Sequence, residues 1–146
     1  MKMKVPFIKL HPDAVMPTYG SRHAAGADLY ALAETEILIP AGKTVFVSTG
    51  IAMEIPEGFV GLVFARSSMG AKRGLAPANK VGVIDSDYRG EIMVGLHNAG
   101  DTDYTIQPAD RIAQLMITPV IQATVTMVDE LDDTDRGAGG FGSTGK

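Results

Sequence analysis

The chain contains no cysteine. Disulfide frameworks, thiolate zinc sites, iron–sulfur clusters and cysteine nucleophiles are therefore excluded together, and nothing covalent points to an oxidising compartment. A surplus of positive charge is missing as well. Thirteen Lys and Arg stand against 17 Asp and Glu, a net charge of −4, so the footprint of a non-specific nucleic-acid binder is lacking. A small polyanionic ligand would need local cations or a metal ion. The stretch MKMKVPFIKL carries Lys9 and no long apolar run, which argues against a signal peptide. Residues 112–128 are uncharged, but Gln114, Thr118, Gln122, Thr124 and Thr126 interrupt them and Pro119 divides them. A membrane span needs about 20 predominantly apolar residues, so two strands are expected there instead. Nucleophile-elbow, HExxH and GxGxxG patterns are absent. His11, His23 and His97 lack metal-ligand spacing and read as structural or surface residues, and the eight methionines are scattered like core filler.

What is present reads as β almost throughout. A length of 146 residues suits one domain, able to bury roughly two-thirds of its unfolded surface. Strands are expected at 5–10, 27–32, 36–39, 44–55, 59–65, 82–84, 91–98, 104–107, 112–120 and 123–128. In 44–55, Val45, Val47, Thr49 and Ile51 fall on one face at period two. Asp85–Gly90 has the composition of a hairpin turn. Strong helical periodicity is missing, and the best helix candidate is a short one at Ser67–Arg73, before Gly74. Many short strands with Gly/Pro turns indicate a sandwich, jelly roll or barrel. The acidic run Asp129–Asp135 leads into RGAGGFGSTGK, where five of eleven residues are glycine. That segment cannot bury a core. It is either a disordered tail or an arm that orders on an anion, with glycine N–H groups, hydroxyls and one guanidinium forming a cradle.

Three constellations could carry chemistry. Arg66–Ser67–Ser68–Met69–Gly70 follows a strand and opens the helix candidate. It is either an anion site of backbone N–H groups, hydroxyls and a guanidinium, or an N-cap serine beside a surface arginine. Asp85, Asp87, Tyr88 and Arg89 cluster where a strand ends. A carboxylate there can activate water and an aromatic can press on a flat or sugar-like ligand; the alternative is an Asp-rich turn. Asp28 stands in the apolar stretch AAGADLYA, as a metal or water ligand or as a residue bonding a turn.

In combination, these segments resemble the trimeric deoxyuridine triphosphatase (dUTPase) family. AAGADLYA (24–31), ARSSMG (65–70), NKVGVIDSDYRGEI (79–92), ADRIAQLMI (109–117) and RGAGGFGSTG (136–145) are similar to its five motifs, in order. Ala65 stands where proline is common and Ser68 where many members have glycine, and neither change removes a ligand-bearing side chain. The resemblance implies an all-β distorted jelly-roll barrel with at most one short helix, assembling as a homotrimer with active sites at subunit interfaces. Residues 1–128 would form the jelly-roll domain, and residues 129–146 an acidic hinge and glycine-rich arm closing a neighbouring site.

It also implies hydrolysis of dUTP to dUMP and pyrophosphate with Mg²⁺, keeping uracil out of DNA and supplying dUMP for thymidylate synthesis. Asp85 would activate the attacking water, and Asp28 would hold Mg²⁺ through bound waters. Arg66, Ser67, Ser68 and Gln114 would contact phosphates or that water. Asn79 and the backbone of Gly82, Val83 and Ile84 would read uracil, with Tyr88 under the deoxyribose. From the arm, Arg136, Gly142, Ser143 and Thr144 would hold the terminal phosphate, and Phe141 would stack on uracil. Neither nucleic acid nor membrane is expected as partner, and the location implied is cytoplasmic. The nearest rival family is dCTP deaminase, but its general acid/base glutamate has Gly95 in its place here. A rival from another class is a trimer that binds nucleotides without turnover and signals to partners.

Overall fold

The structure, a computed structural model, describes residues 3–140 and 142. Twelve strands and one helix are found among them: β1 Phe7–Lys9, β2 Thr18–Tyr19, β3 Ala27–Tyr30, β4 Ile37–Ile39, β5 Thr44–Ser48, β6 Ile51–Met53, β7 Phe59–Phe64, α1 Ser67–Arg73, β8 Leu75–Pro77, β9 Gly82–Ile84, β10 Met93–Asn98, β11 Tyr104–Ile106 and β12 Arg111–Pro119. The expected all-β jelly-roll architecture with one short helix is what the chain adopts. No helix among the described residues is long and apolar enough to cross a membrane.

The largest sheet runs β2-β3-β12-β7-β9, with a three-stranded β5-β10-β8 sheet and the two pairs β1-β6 and β11-β4. β12 is its spine. It pairs antiparallel with β3, setting Gln114 opposite Asp28, and with β7, setting Gln114 opposite Phe64. β7 in turn pairs with β9, Gly61 opposite Ile84 and Val63 opposite Gly82. The core between the sheets is apolar, with Leu29, Ile39, Val47, Ile51, Leu75, Leu96 and Ile106 fully buried. Each such side chain is worth about 1.5–3 kcal/mol relative to exposure. Two buried polar side chains act as staples. Asn98 donates to the carbonyls of Ile39 and Thr102 at 3.0 and 2.8 Å, and the Thr49 hydroxyl donates to Ile92 O at 2.5 Å.

The helix has the bounds the sequence predicts. Gly74 stops it at φ +68°, its N–H bonding Met69 O, and Lys72 and Arg73 lie in the last turn, where cations suit the helix dipole. At its start Arg66 is the N-cap, and no side chain caps it. The N-cap serine reading of Ser67 is thereby excluded.

Three local expectations are corrected, and two strands were not anticipated. The 44–55 strand is two strands, because Gly50 at φ +67° turns the chain where the ladder would continue. Val47, Thr49 and Ile51 nevertheless all face inward. Asp85–Gly90 does not close a hairpin, since β9 pairs with β7 while β10 pairs with β5 and β8; the turn crosses between sheets. Residues 123–128 form no strand and are exposed. Strands β2 and β8 carry no clear signal, being two and three residues long, and β8 ends in Pro77 at a sheet edge, where proline is tolerated.

Ala109 sits at φ +61° in the turn Gln107–Asp110, closed by Asp110 N–H to Gln107 O at 3.0 Å. With Pro108 before it, this is a type II turn, whose third position prefers glycine. A left-handed alanine costs about 1–2 kcal/mol, partly offset by the extra unfolded-state entropy of glycine, about 0.5–1 kcal/mol. Ala109→Gly should raise the unfolding free energy by about 0.5 kcal/mol, seen as a higher denaturation midpoint; a lower midpoint contradicts this account of the turn.

Candidate active site

Two hollows hold eight of the sixteen candidate site residues singled out in the sequence. The first, about 420 Å³, is lined by Asn79, Gly82, Val83, Ile84, Asp85 and Tyr88 together with Phe46, Glu91 and Gly95. One wall is β9, the edge strand of the large sheet, so its outward N–H and C=O groups face away from β7 and can hydrogen-bond a ligand. Asn79 is presented by a strained turn: Lys80 has φ +66°, and Val81 N–H bonds Asn79 O at 2.7 Å. Asp85 follows directly on β9 and is exposed at the lip. The turn beyond it is braced by Arg89, whose Nη1 donates to Ser86 O at 2.7 Å and Tyr88 O at 3.0 Å. Tyr88 is half-exposed, its hydroxyl donating to Glu91 O at 2.9 Å. The position the rival deaminase reading would need for a glutamate is Gly95, lying beneath the Phe46 ring.

The second hollow, about 220 Å³, is polar and lined by Arg66, Ser68, Arg73, Tyr104, Asp110 and Arg111 with Met69. Its edge is an ion cluster. Arg66 Nε donates to Asp28 Oδ1 at 2.7 Å and Arg111 Nη1 to Asp28 Oδ2 at 3.3 Å. Asp28 is 13% exposed and Arg66 20%, against 51% for Arg111. Arg73 lies over the Tyr104 ring, 5.3 Å from its centroid, and bonds its hydroxyl. Gln114, central in β12, donates Nε2–H to Ala65 O at 2.9 Å. Its Oε1 rests against Gly26, where a Cβ would stand 2.7 Å away. The absent side chain at Gly26 thus makes room for the Gln114 amide beside Asp28.

These two groups do not meet within one chain. Register sets Asp28, Gln114 and Phe64 in one row across three strands, while Asp85 comes one residue after Ile84, which faces Gly61. Asp85 and Asp28 are thus four residues apart along the strands and three strands apart across the sheet. At ~3.4 Å per residue and ~4.8 Å per strand that is roughly 14 Å in each direction, or about 20 Å overall.

Ser67 and Ser68 are exposed in the first turn of α1, and Arg136 is exposed in a turn whose Gly139 N–H bonds Arg136 O. Gly142 lies in a turn at φ +89°. Phe141, Ser143 and Thr144 lie outside the described residues. The second cation on Asp28, Arg111, was not legible from spacing, and neither were Glu91 and Phe46. Cross-strand register brings Arg111 to Asp28, and sequence distance conceals register.

Among the described residues no three His, Asp or Glu side chains cluster as a metal cage. A single carboxylate is nevertheless a fitting anchor for Mg²⁺, which usually takes one or two carboxylates plus substrate phosphates and keeps several waters. Asp28 spends one bond per oxygen on guanidinium groups and a carboxylate has about four acceptor sites, so capacity remains for a metal-bound water.

Residues 13–145 match the dUTPase family model. A deoxyuridine 5'-triphosphate nucleotidohydrolase from Syntrophotalea carbinolica is 48% identical over 94% of this chain and 93% of its own length. Another with that name, from Desulfitobacterium hafniense, is 46% identical over 99% and 97%. Among solved structures, the dUTPase of Staphylococcus bacteriophage 80alpha with dUPNHPP superposes with a TM-score of 0.89 at 26% identity, covering 99% of this chain and all of the other. With its motifs placed on this fold as described, the chain belongs to the dUTPase family.

Proposed function

We propose that this chain is a cytoplasmic dUTP diphosphatase whose active sites are each assembled from several copies in a homotrimer. The observation that carries this reading is the 420 Å³ hollow, with an edge strand for one wall and Asp85 at its lip. Uracil is flat and carries donors and acceptors on one edge. Asn79 and the backbone of Gly82, Val83 and Ile84 pair with that edge, and Tyr88 lies under the deoxyribose.

Asp85 accepts a proton from water as the water oxygen forms its bond to the α-phosphorus. The bond from that phosphorus to the bridging oxygen breaks, its electron pair leaves with pyrophosphate, and the proton passes from Asp85 to solvent. Most of the acceleration comes from positioning and from charge placed against the phosphates. Arg66, Ser67 and Ser68 hold phosphate oxygens, and Gln114, its amide fixed by Ala65 O, orients phosphate or water. Asp28 would hold Mg²⁺ through bound water. When present, the ion offsets triphosphate charge that a chain of net charge −4 otherwise meets with few cations.

The span of about 20 Å between Asp28 and Asp85 supports sharing. Asp85 and the base-reading edge come from one copy, and Asp28, Arg66 and Gln114 from another. The arm from residue 129 onward closes the site of a neighbour, where Arg136, Gly142, Ser143 and Thr144 hold the terminal phosphate and Phe141 covers uracil.

Asp85→Asn should lower kcat for dUTP by about 10²–10⁴-fold, the usual worth of a general base, while a non-hydrolysable dUTP analogue still binds. Normal turnover in that variant removes Asp85 from the mechanism. Asp85→Asn and Arg66→Ala, each inactive alone, should recover activity when co-expressed and mixed within trimers. If each site draws the two residues from different copies, about a quarter of the sites in random trimers are intact. A mixture as inactive as its parents overturns the shared site.

A further inference from the structure

Tyr88 is 47% exposed, and an exposed side chain ordinarily changes rotamer within nanoseconds. Its surroundings oppose that freedom. The ring lies against Gly90 so closely that a Cβ there would overlap the hydroxyl and stand 2.6 Å from Cζ and 3.0 Å from Cε2. The hydroxyl donates to Glu91 O at 2.9 Å. That carbonyl is itself anchored, because the Glu91 carboxylate accepts the Gly50 N–H at 2.8 Å. Gly50 is seated where a Cβ would strike Ala14 and Leu32. One residue on, Ile92 donates its N–H to Ile51 O at 2.9 Å and accepts the Thr49 hydroxyl at 2.5 Å. The ring is thus tied through Glu91 to the strand turn at Gly50 and so to the buried core.

We infer that Gly90 and Glu91 are positioning residues that set the sugar preference of the site, by holding the Tyr88 ring as a fixed platform under the nucleoside. The inference rests on the placement of the deoxyribose over Tyr88 given above. A wall rejects one extra hydroxyl only if it cannot yield. A ring free to swing aside accommodates the hydroxyl, leaving the modest discrimination of about 10²-fold that an unstructured apolar pocket gives. Glycine at position 90 lets the ring lie flat, and the Glu91 carboxylate stiffens the segment that receives its hydroxyl.

The test compares kcat/KM for dUTP and UTP in the full-length chain and in Gly90→Ala, Glu91→Ala and Glu91→Gln, with ligand-free crystal structures of the wild-type chain and Gly90→Ala. Gly90→Ala and Glu91→Ala should each lower the dUTP:UTP ratio by at least about tenfold. Glu91→Gln keeps an oxygen acceptor for Gly50 N–H and should keep the ratio, a rescue that a general loss of stability would not produce. In the Gly90→Ala crystal the ring should leave position 90 and its bond to Glu91 O. Ratios within about twofold of wild type in both alanine variants, or an unmoved ring, overturn the inference. Should Gly90→Ala fail to fold, the Glu91 pair decides alone. A wild-type chain that does not turn over dUTP refutes the functional reading instead, and the ring position in Gly90→Ala still judges the tether.

Discussion

The antiparallel ladder between Phe59–Phe64 and Gly82–Ile84 governs the rest of the molecule. Three backbone pairs fix β9 to β7, and β7 is fixed to β12 by six. Those pairings send the chain into Arg66 at one end of the sheet and into Asp85 at the other. A shift of one residue would turn every side chain of β9 to the opposite face, so the core behind Ile84 forbids it. The separation of cation cluster and carboxylate is therefore a property of the fold and not of side-chain rotamers. The proposed sharing of each site between copies rests on that separation.

The cation cluster has its own internal balance. Asp28 is largely buried between two guanidinium groups, and a carboxylate in that position costs several kcal/mol unless paired. The 2.7 Å bond to Arg66 is of the charge-assisted kind, worth about 1.5–3 kcal/mol. The longer bond to half-exposed Arg111 contributes up to about 1 kcal/mol. The trio carries a net positive charge within a chain of net charge −4, so an anion meets local attraction here. Such a local field raises specificity for a polyanion more than it stabilises the fold.

Sequence reasoning reached the elements whose signals are local. The helix was visible because Ser67–Arg73 ends at Gly74, whose left-handed φ is a conformation glycine favours. Alternation was visible in 44–55, where Val47, Thr49 and Ile51 are buried. The failures are non-local. Asp85–Gly90 has hairpin composition, yet whether flanking strands pair is decided by which sheet each joins. Residues 123–128 have strand composition but no strand beside them among the described residues, and an isolated strand leaves its backbone groups to water. Arg111, the second partner of Asp28, depends on a β-bulge between Arg111 and Ala113 that no residue pattern announces. The family motifs contain most of the residues lining the two hollows, and Phe46, Arg73, Gly95 and Tyr104 come from outside them.

The proposed recognition of uracil in the first hollow poses a further physical demand, a rigid wall. Thymine differs from uracil by one methyl group, and attraction alone separates ligands differing by one such group by only about 1–3 kcal/mol. Stronger rejection requires a wall that does not move. In the proposed site β9 is that wall: it is short, backbone-paired along its inner edge, and pressed onto β7 at Gly61. A Cβ there would stand 3.3 Å from Ile84 Cβ and 2.9 Å from Ile55 Cδ1. Ile55 is fully buried, so the wall leans on the core through direct contact. A larger residue at position 61 would push β9 outward into the hollow, and a smaller one at position 55 would let it retreat. Shape selection at the nucleoside is in this sense a consequence of core packing density, transmitted one residue at a time to an edge strand that itself carries no reactive group.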